Sequence, residues 1–335
     1  MQGLTVWTDA RWRASFAGWI DDALREAGER RVSDPDEVHL RPWSVVWRLR
    51  TDAGIRFAKA GATCQAHEPA LLAHLATLDA SVVPELVARD DDRGWSITVD
   101  GGRRARDLED RDAVLAILEA ALPRFAALQR AASTAVARML TMDVPDRRPA
   151  AVLPALAALL DDPASLAGDD EALTAAERGE LISLLPRLSD ALAELAAGPI
   201  PPSIEHGDLH DANVYVDHGG RVFDWGDATV AHPFASLLIV DVALENRFGL
   251  AGDAPEVRRL HRAYLEPWTA LAPMADLERL AREAMRLGGA SKALGWVSML
   301  TLMPPGEVAE WRDAPSIWLR DLLEALRAGA AGPSA

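Results

Sequence analysis

The sequence of 335 residues contains few of the residue types on which many protein sites are built. Its single cysteine, Cys64, excludes an internal disulfide bond and any metal site formed by several cysteines. Lysine occurs only at positions 59 and 292, so almost all positive charge comes from arginine. No apolar run reaches the ~18 residues that a membrane-spanning helix needs. These absences argue against a disulfide-stabilised, multi-cysteine metal-binding or membrane-spanning protein.

Positive charge is also scarce, because 51 acidic residues outnumber 35 lysines and arginines and the net charge is −16. A chain this acidic does not attract nucleic acid or anionic membranes, so neither is expected as a partner, whereas cationic small molecules are favoured. Any phosphate site must be built locally around a cation. The first residues, MQGLTVWTDARWR, have no basic segment followed by an apolar stretch, so we predict no signal peptide and expect a cytoplasmic location.

The composition, with 49% hydrophobic and 26% charged residues, is typical of a folded globular protein, and the length favours two domains. Near the N-terminus, apolar periodicity predicts helices over 11–28 and 65–79 and strands over 37–40, 44–50, 54–60, 82–89 and 94–99. Farther on it predicts several helices over 107–197, a β segment over 204–225, and helices over 234–247, 255–270, 275–288 and 307–327. We therefore predict an α+β fold with a β-rich N-terminal domain, residues 1–100, and a mainly helical C-terminal domain, residues 101–335.

The residues with the most recognisable spacing lie in segment 204–227, which reads IEHGDLHDANVYVDHGGRVFDWGD. Alternating apolar residues predict short strands over 214–216 and 221–223, joined by a turn at Asp-His-Gly-Gly. If His218 and Gly219 are the central turn residues, Asn213 lies directly opposite Asp224, with the two Cβ atoms ~5 Å apart on one face. This placement depends on the register, because a slip of one residue would separate the two side chains.

An amide oxygen beside a carboxylate is a suitable pair of ligands for Mg²⁺, which leaves its remaining positions to water and substrate phosphates. Asp208, five residues before Asn213, could face the same site and orient an acceptor hydroxyl. Metal ligands with one carboxylate at the attacking oxygen are what phosphoryl transfer requires. Two structural alternatives remain open, since Asp208 could cap the next turn and His206 could be a hydrogen-bonded loop histidine.

A different chemistry is also compatible with this segment. His206 and His210, with Asp208 and Asp224, could form the zinc site of a hydrolase, since the two histidines would share one face of a helix. Pro201 and Pro202 upstream, Gly207, and the strand pattern downstream all disfavour a regular helix here. The zinc hydrolase is therefore the weaker interpretation.

The pattern His206-Gly207-Asp208-x-x-x-x-Asn213 followed by Asp224-Trp225-Gly226 resembles the aminoglycoside phosphotransferase family of small-molecule kinases, and His-Pro-Phe at 232–234 is a usual companion. The resemblance implies the two-lobed protein-kinase-like fold. It also implies Mg²⁺-dependent transfer of the γ-phosphoryl group of ATP or GTP to a hydroxyl of a small molecule, such as an aminoglycoside, an amino sugar, or another antibiotic or alcohol. In that family pattern Asp208 is catalytic, and Asn213 and Asp224 hold the metal.

The N-terminal domain carries a second part of the resemblance, because Lys59 ends the third predicted strand and Glu68 follows nine residues later. In the kinase-like fold these positions imply a lysine that holds nucleotide phosphates and a helix glutamate that orients it. Glu68 also shares a helical face with Leu71, Leu72 and Leu75, and a carboxylate facing the core needs a partner. Pro69 leaves open that Glu68 only begins the helix.

The glycine-rich loop of protein kinases is missing, and Arg-Pro-Trp-Ser at 41–44 stands in its place, which leaves its phosphate contacts unassigned. An alternative function is a kinase-like protein that binds nucleotide without turnover. The retention of Lys59, Asp208, Asn213 and Asp224 argues against it. The acidic chain favours a cationic acceptor, whereas the choice between ATP and GTP and the oligomeric state have no sequence signal.

Overall fold

Five antiparallel strands form the N-terminal sheet in the computed structural model, which describes residues 3–166, 168 and 171–328. In chain order they are β1 (Asp36–Arg41), β2 (Ser44–Thr51), β3 (Gly54–Gly61), β4 (Leu86–Asp90) and β5 (Trp95–Val99). Their order across the sheet is β1-β2-β3-β5-β4. Side chains alternate between the faces of a strand, so Ala58 and Ala60 of β3 are buried while Phe57 and Lys59 face the opposite side.

The buried face of this sheet packs against the N-terminal helices α1 (Leu4–Trp7) and α2 (Ala10–Glu26). Asp9 caps α2 by accepting hydrogen bonds from two backbone N–H groups of its first turn. The apolar stripe of α2 contributes Phe16 and Ile20 to a core that also contains Trp47 and Ile97. The other face of the sheet is thereby left to form the wall of a cleft.

Helix α3 (Glu68–Asp79) connects β3 to β4, and its first turn contains Pro69. The predicted start at residue 65 is too early, because a 3₁₀ turn at Thr63–Gln65 precedes the helix. Glu68 is therefore the first helical residue and is buried. Because the helix begins at Glu68, the carboxylate of this residue can reach β3.

The rest of the chain is mainly helical, which confirms the predicted α+β class with a small sheet and a larger helical portion. Its helices are α4 (Arg111–Ala132), α5 (Val136–Leu140), α6 (Pro149–Asp161), α7 (Ala175–Ala196), α8 (Leu237–Phe248), α9 (Pro255–Leu265), α10 (Met274–Leu287), α11 (Gly289–Leu300) and α12 (Ala314–Ala328). They enclose a second core around Phe125, Trp225 and Tyr264. Across the described ranges, no helix combines the length and apolar character needed to cross a membrane.

Helix α11 was not predicted, because the glycines at 288, 289 and 295 interrupt the apolar pattern between the helices expected over 275–288 and 307–327. The last predicted helix also begins later than expected, since short 3₁₀ turns occupy 305–307 and 309–311. Tertiary packing stabilises α11, whose buried residues Ala290, Ala293 and Leu294 belong to the helical core. This omission matters because α11 lines the cleft.

The β segment of the helical portion is built differently from the prediction. Strand β6 (Ser203–Glu205) pairs with β7 (Thr229–Ala231), which the sequence reading did not include, and places Ile204 opposite Val230. The expected strands over 214–216 and 221–223 are reduced to a single antiparallel bridge between Val214 and Val222. The motif loop therefore lies between a short two-stranded sheet and this bridge.

The predicted register of that hairpin is wrong by one residue. The Phe223 N–H donates to the Asn213 carbonyl at 3.0 Å, so Asn213 lies opposite Phe223 and not opposite Asp224. The cause is the turn, which contains the 3₁₀ segment Asp217–Gly219 followed by Gly220, where the prediction assumed two central residues. Gly219 and Gly220 both have positive φ, 75° and 79°, a conformation that glycine adopts without a steric penalty.

Candidate active site

A cleft of 1170 Å³ lies between the sheet and the helical portion. The residues predicted to form the site all line it: Lys59, Glu68, Asp208, Asn213 and Asp224. Strand β3 and helix α3 supply the first two, and the loop around β6 and the bridge supply the others. The fold thus brings together residues that are as much as 165 positions apart.

Lys59 contacts two carboxylates. Its Nζ lies 2.6 Å from Glu68 Oε2 and also donates a hydrogen bond to Asp224. The other oxygen of Glu68 accepts the Trp225 N–H at 3.0 Å, so Glu68 connects the lysine to the Asp-Trp-Gly segment. Burial alone would lower the pKa of Lys59, but the carboxylates of Asp224 and Glu68 outweigh it and raise that pKa above its ordinary value. Lys59 is therefore a fixed positive charge.

Asp208 is held by two side chains of its own loop. Asn213 Nδ2 donates to Asp208 Oδ2 at 3.0 Å, and His210 Nε2 lies 3.2 Å from the same oxygen. The His210 Nδ1 accepts the Ala212 N–H, so the ring proton is on Nε2 and is donated to Asp208. Burial alone would raise the pKa of Asp208, but the hydrogen bond from His210 and the positive charge of Lys292 hold it well below its usual range. The carboxylate is ionised and can accept a proton.

Asp208 does not cap the next turn, which was the structural alternative for this residue. The 3₁₀ turn Asp211–Asn213 is capped by the His210 ring. Asp211 is instead buried between the guanidinium groups of Arg106, at 2.8 Å, and Arg247. The Asp208 carboxylate, 35% exposed, is directed into the cleft.

His206 is fully buried and uses both ring nitrogens within the chain. Its Nδ1 accepts the Asp208 N–H at 3.2 Å, and its Nε2 lies 3.1 Å from the Phe223 carbonyl oxygen. Burial lowers the pKa of His206 to about 4, so the ring is neutral at physiological pH. His206 thus joins the Asp208 loop to Phe223, the residue that precedes Asp224, as a loop histidine would.

The zinc interpretation finds no support in this geometry. Both nitrogens of His206 and of His210 already have partners in the chain, and the segment between them is not helical. In the part of the chain that the structure describes, no three histidine, cysteine or acidic side chains form a cluster able to hold a metal ion. Neither ring is free to bind zinc.

Asn213 and Asp224 offer oxygen ligands to the cleft in spite of the register shift. Because Asn213 donates its amide nitrogen to Asp208, its Oδ1 remains as an acceptor. Asp224 is 47% exposed and has a φ of 63°, a left-handed conformation that residues other than glycine seldom adopt. This donor set, one amide oxygen and one carboxylate, fits a hard divalent cation.

Lys292 is a residue of the site that sequence reasoning missed, because the helix that carries it was not predicted. Its Nζ donates to the Gly207 carbonyl at 2.6 Å. Gly207 has a φ of 77°, and a Cβ there would lie 2.1 Å from the Asp227 carbonyl oxygen, so only glycine fits. The scarcity of lysine was the available signal, since both lysines of the chain line this cleft.

A second group that the sequence analysis did not assign is a pair of aromatic rings. Tyr215 and Phe223 are stacked with centroids 4.2 Å apart and an interplanar angle of 20°. They line the same cleft as Val46 and Phe57 of the sheet. These four apolar side chains define the Tyr215–Phe223 slot, which lies next to segment 100–102, since a Cβ on Gly101 would lie 2.2 Å from the Tyr215 ring.

Comparisons with known proteins agree with this arrangement. The family model described as "Phosphotransferase enzyme family" matches residues 41–277, which include Lys59, Glu68 and both motifs. A comparison with curated protein sequences gives no match.

The similar solved structures include the macrolide 2'-phosphotransferase of Brachybacterium faecium, with 19% identity and a TM-score of 0.58 over 90% of this chain and 97% of that one. They also include the choline kinase of Streptococcus pneumoniae, with 12% identity and a TM-score of 0.60 over 94% of this chain and 99% of that one. At these identities the likeness shows a common fold. Since the family model spans well over half of the chain, the protein belongs to the phosphotransferase enzyme family, as its two motifs predicted.

Proposed function

We propose that the protein transfers the γ-phosphoryl group of ATP or GTP to a hydroxyl group of a small molecule, with Mg²⁺ bound at Asn213 and Asp224. The observation that carries the proposal is the ionised Asp208 carboxylate, which faces the cleft that also contains the fixed charge of Lys59. Phosphoryl transfer needs little more than positioning and charge stabilisation, and these residues can supply both. Membership of the phosphotransferase family supports the reaction class.

In the proposed reaction, the acceptor oxygen forms a bond to the γ-phosphorus as the bond to the bridging oxygen of the nucleotide breaks. The acceptor proton moves to an oxygen of Asp208, which the neutral His206 and the donor His210 keep in place. The Lys59 ammonium, positioned by Glu68, stabilises the nucleotide phosphates. Mg²⁺, when bound, would neutralise phosphate charge, and Asn213 Oδ1 with the Asp224 carboxylate are the groups that would hold it.

The slot beside segment 100–102 is the proposed site of the nucleobase. A planar base would stack between the Tyr215–Phe223 pair and the apolar side chains of the sheet, Val46 and Phe57. Backbone groups of the segment would provide its hydrogen bonds. Such contacts carry no side-chain signature, so both purine nucleotides are candidates.

Lys59→Ala is expected to weaken nucleotide binding about ten- to a hundred-fold, because a charge-assisted hydrogen bond to phosphate is lost. Glu68→Ala is expected to act in the same direction with a smaller effect, since it only orients the lysine. The double variant should cost less than the sum of the single effects, because residues in contact are coupled. Calorimetric nucleotide affinities of the four proteins measure this coupling.

A matched control for this cycle exists on the same strand. Arg56 of β3 pairs with Glu29 at 2.7 Å in a similarly sheltered ion pair, and neither residue lines the cleft. Arg56→Ala and Glu29→Ala should leave nucleotide affinity unchanged. Fully additive effects of the Lys59 and Glu68 substitutions would contradict the proposed pair.

The proposed function is tested by nucleotide consumption in the presence of a panel of small-molecule alcohols, with ATP and GTP and with Mg²⁺ or a chelator. The expected result is acceptor-dependent consumption that disappears when the metal is removed. Tight nucleotide binding with no turnover on any member of a broad panel would favour a nucleotide-binding protein instead. A protein that binds neither nucleotide would contradict the proposal.

A further inference from the structure

We propose that Arg147 forms an anion-binding subsite in the acceptor half of the cleft, and that the acceptor molecule carries a carboxylate or phosphate group that this guanidinium binds. The proposal rests on the proposed function for the identity of the acceptor half, and it adds the chemical class of the acceptor. We define the acceptor half as the part of the cleft lined by segment 145–147, β7 and α11, whose Lys292 contacts the Gly207 carbonyl just before Asp208.

The backbone places the Arg147 side chain on the cleft face of a small sheet. Segment 145–147 runs parallel to β7, because the Val230 N–H donates to the Pro145 carbonyl and the Arg147 N–H donates to the Val230 carbonyl. Side chains alternate along a strand, so Arg147 shares a face with Thr229 and Glu205, opposite the fully buried Val230. Arg147, Thr229 and Glu205 all line the cleft.

The Arg147 guanidinium has no partner within residues 3–166, 168 and 171–328. Its Nε is buried and donates no hydrogen bond to the described residues, and none of their carboxylates lies within 4.0 Å of its nitrogens. Burial lowers the pKa of Arg147, and the negative charges of Asp146 and Glu205 raise it by less than burial lowers it. A sheltered cation that points into a cleft is stabilised by a ligand of the opposite charge.

The neighbouring carboxylates are already engaged. Asp146 makes a two-pronged contact with Arg148, at 2.9 and 2.6 Å. Glu205 accepts the Gly207 N–H at 2.7 Å and the Thr229 hydroxyl at 3.1 Å. Neither is available to neutralise Arg147 without breaking a hydrogen bond that the fold uses.

The other charged groups near Arg147 are either bonded within the chain or exposed, so none of them forms a sheltered site for a cationic ligand. Asp227 accepts a hydrogen bond from Gln65 at 2.9 Å, Lys292 donates to the Gly207 carbonyl, and Asp208 is held by its own loop. Asp143 is exposed to solvent. Among these described groups, the sheltered one that lacks a partner is the Arg147 cation. A cation at this place favours an anionic acceptor, whereas the net charge of the chain led us to expect a cationic one.

The test uses the whole protein saturated with Mg²⁺ and a non-hydrolysable ATP analogue, so that the nucleotide phosphate site is filled. Acetate, methyl phosphate and the neutral acetamide are titrated at constant ionic strength, and binding is followed by ligand-observed NMR. We expect saturable binding of at least one anion and none of acetamide. The tighter of the two anions shows whether a carboxylate or a phosphate is the preferred group.

Arg147→Ala is expected to weaken anion binding about tenfold or more, and Arg147→Lys to restore it only in part, because a lysine lacks the planar fork of donors. Arg221→Ala is the matched control, since the Nε of that arginine is also buried without a partner but the residue does not line the cleft, and the variant should retain the wild-type affinity. Equal anion affinity in Arg147→Ala and wild type, or no saturable anion binding to wild type, would overturn the proposal.

Two further readouts separate this proposal from the proposed function. Arg147→Ala should keep the wild-type nucleotide affinity and thermal stability, because an unpartnered guanidinium contributes no ion pair to the fold. With a matched pair of active acceptors, one anionic and one neutral, Arg147→Ala should raise the KM of the anionic acceptor and leave the KM of the neutral acceptor unchanged. Anion binding without phosphoryl transfer would support the subsite and contradict the proposed function. Phosphoryl transfer in which Arg147→Ala changes KM equally for the anionic and the neutral acceptor would support the function and contradict the subsite.

Discussion

Asp208→Asn is expected to bind Mg²⁺–nucleotide with nearly wild-type affinity while its kcat falls by about 10² or more. The substitution keeps the shape of the side chain and removes the charge that would accept the acceptor proton in the proposed reaction. Nucleotide affinity is expected to depend on Lys59 and on the proposed metal ligands, and of these Asp208 contacts only Asn213. The loss should therefore appear in the chemical step and not in binding.

Parallel measurements of calorimetric nucleotide affinity and of kcat on an active acceptor test this separation. Asp217→Asn is the matched control, because it makes the same substitution in the same segment at an exposed turn position outside the cleft. The control should behave as wild type in both measurements. A near-normal kcat in Asp208→Asn would remove Asp208 from the mechanism and leave the motif with a structural role only.

Asp224→Ala is expected to abolish the dependence of nucleotide affinity on Mg²⁺ and to reduce transfer by about 10²–10³ or more. Asp224 supplies the carboxylate of the proposed metal site, and the amide of Asn213 alone is a weak ligand. Without Mg²⁺, the variant should bind nucleotide no more weakly than wild type, because a negative charge next to the phosphates has been removed.

The decisive quantity for Asp224 is the ratio of nucleotide dissociation constants with and without Mg²⁺. In wild type the metal should tighten binding, and in Asp224→Ala the ratio should approach one. The comparison within one protein also removes any general effect of the substitution on folding or on Lys59, which loses one of its two carboxylate partners. An unchanged ratio would show that the metal binds elsewhere.

Local patterns predicted the N-terminal part of the site well, for identifiable reasons. The strand pattern predicted Lys59 near the end of β3, two residues before Gly61. Glu68 follows nine residues later, so its contact with Lys59 depends only on where α3 begins. The β2–β3 turn is a tight two-residue connection, so the register there follows from the turn. Short-range geometry of this kind is encoded in neighbouring residues.

The parts that were missed depend on contacts between distant segments. The register around Asn213 depended on whether the turn held two residues or a longer 3₁₀ segment, and the Asp-His-Gly-Gly sequence is compatible with both. Lys292 meets Gly207 across 85 residues, and Arg147 reaches the cleft because segment 145–147 pairs with β7. Neither pairing has a local pattern. The scarcity of lysine was a signal for Lys292, whereas Arg147 has none in the sequence and is revealed only by the folded chain.

Transfer of a phosphoryl group to a hydroxyl at the Asp208 loop can be followed by ³¹P NMR of the products formed from nucleotide and an active acceptor. A phosphate monoester resonance should grow in step with nucleoside diphosphate for the wild-type protein, and the rate of its growth should fall by about 10² or more for Asp208→Asn at saturating nucleotide. Inorganic phosphate as the sole product, or a monoester formed equally fast by Asp208→Asn, would contradict the proposed transfer.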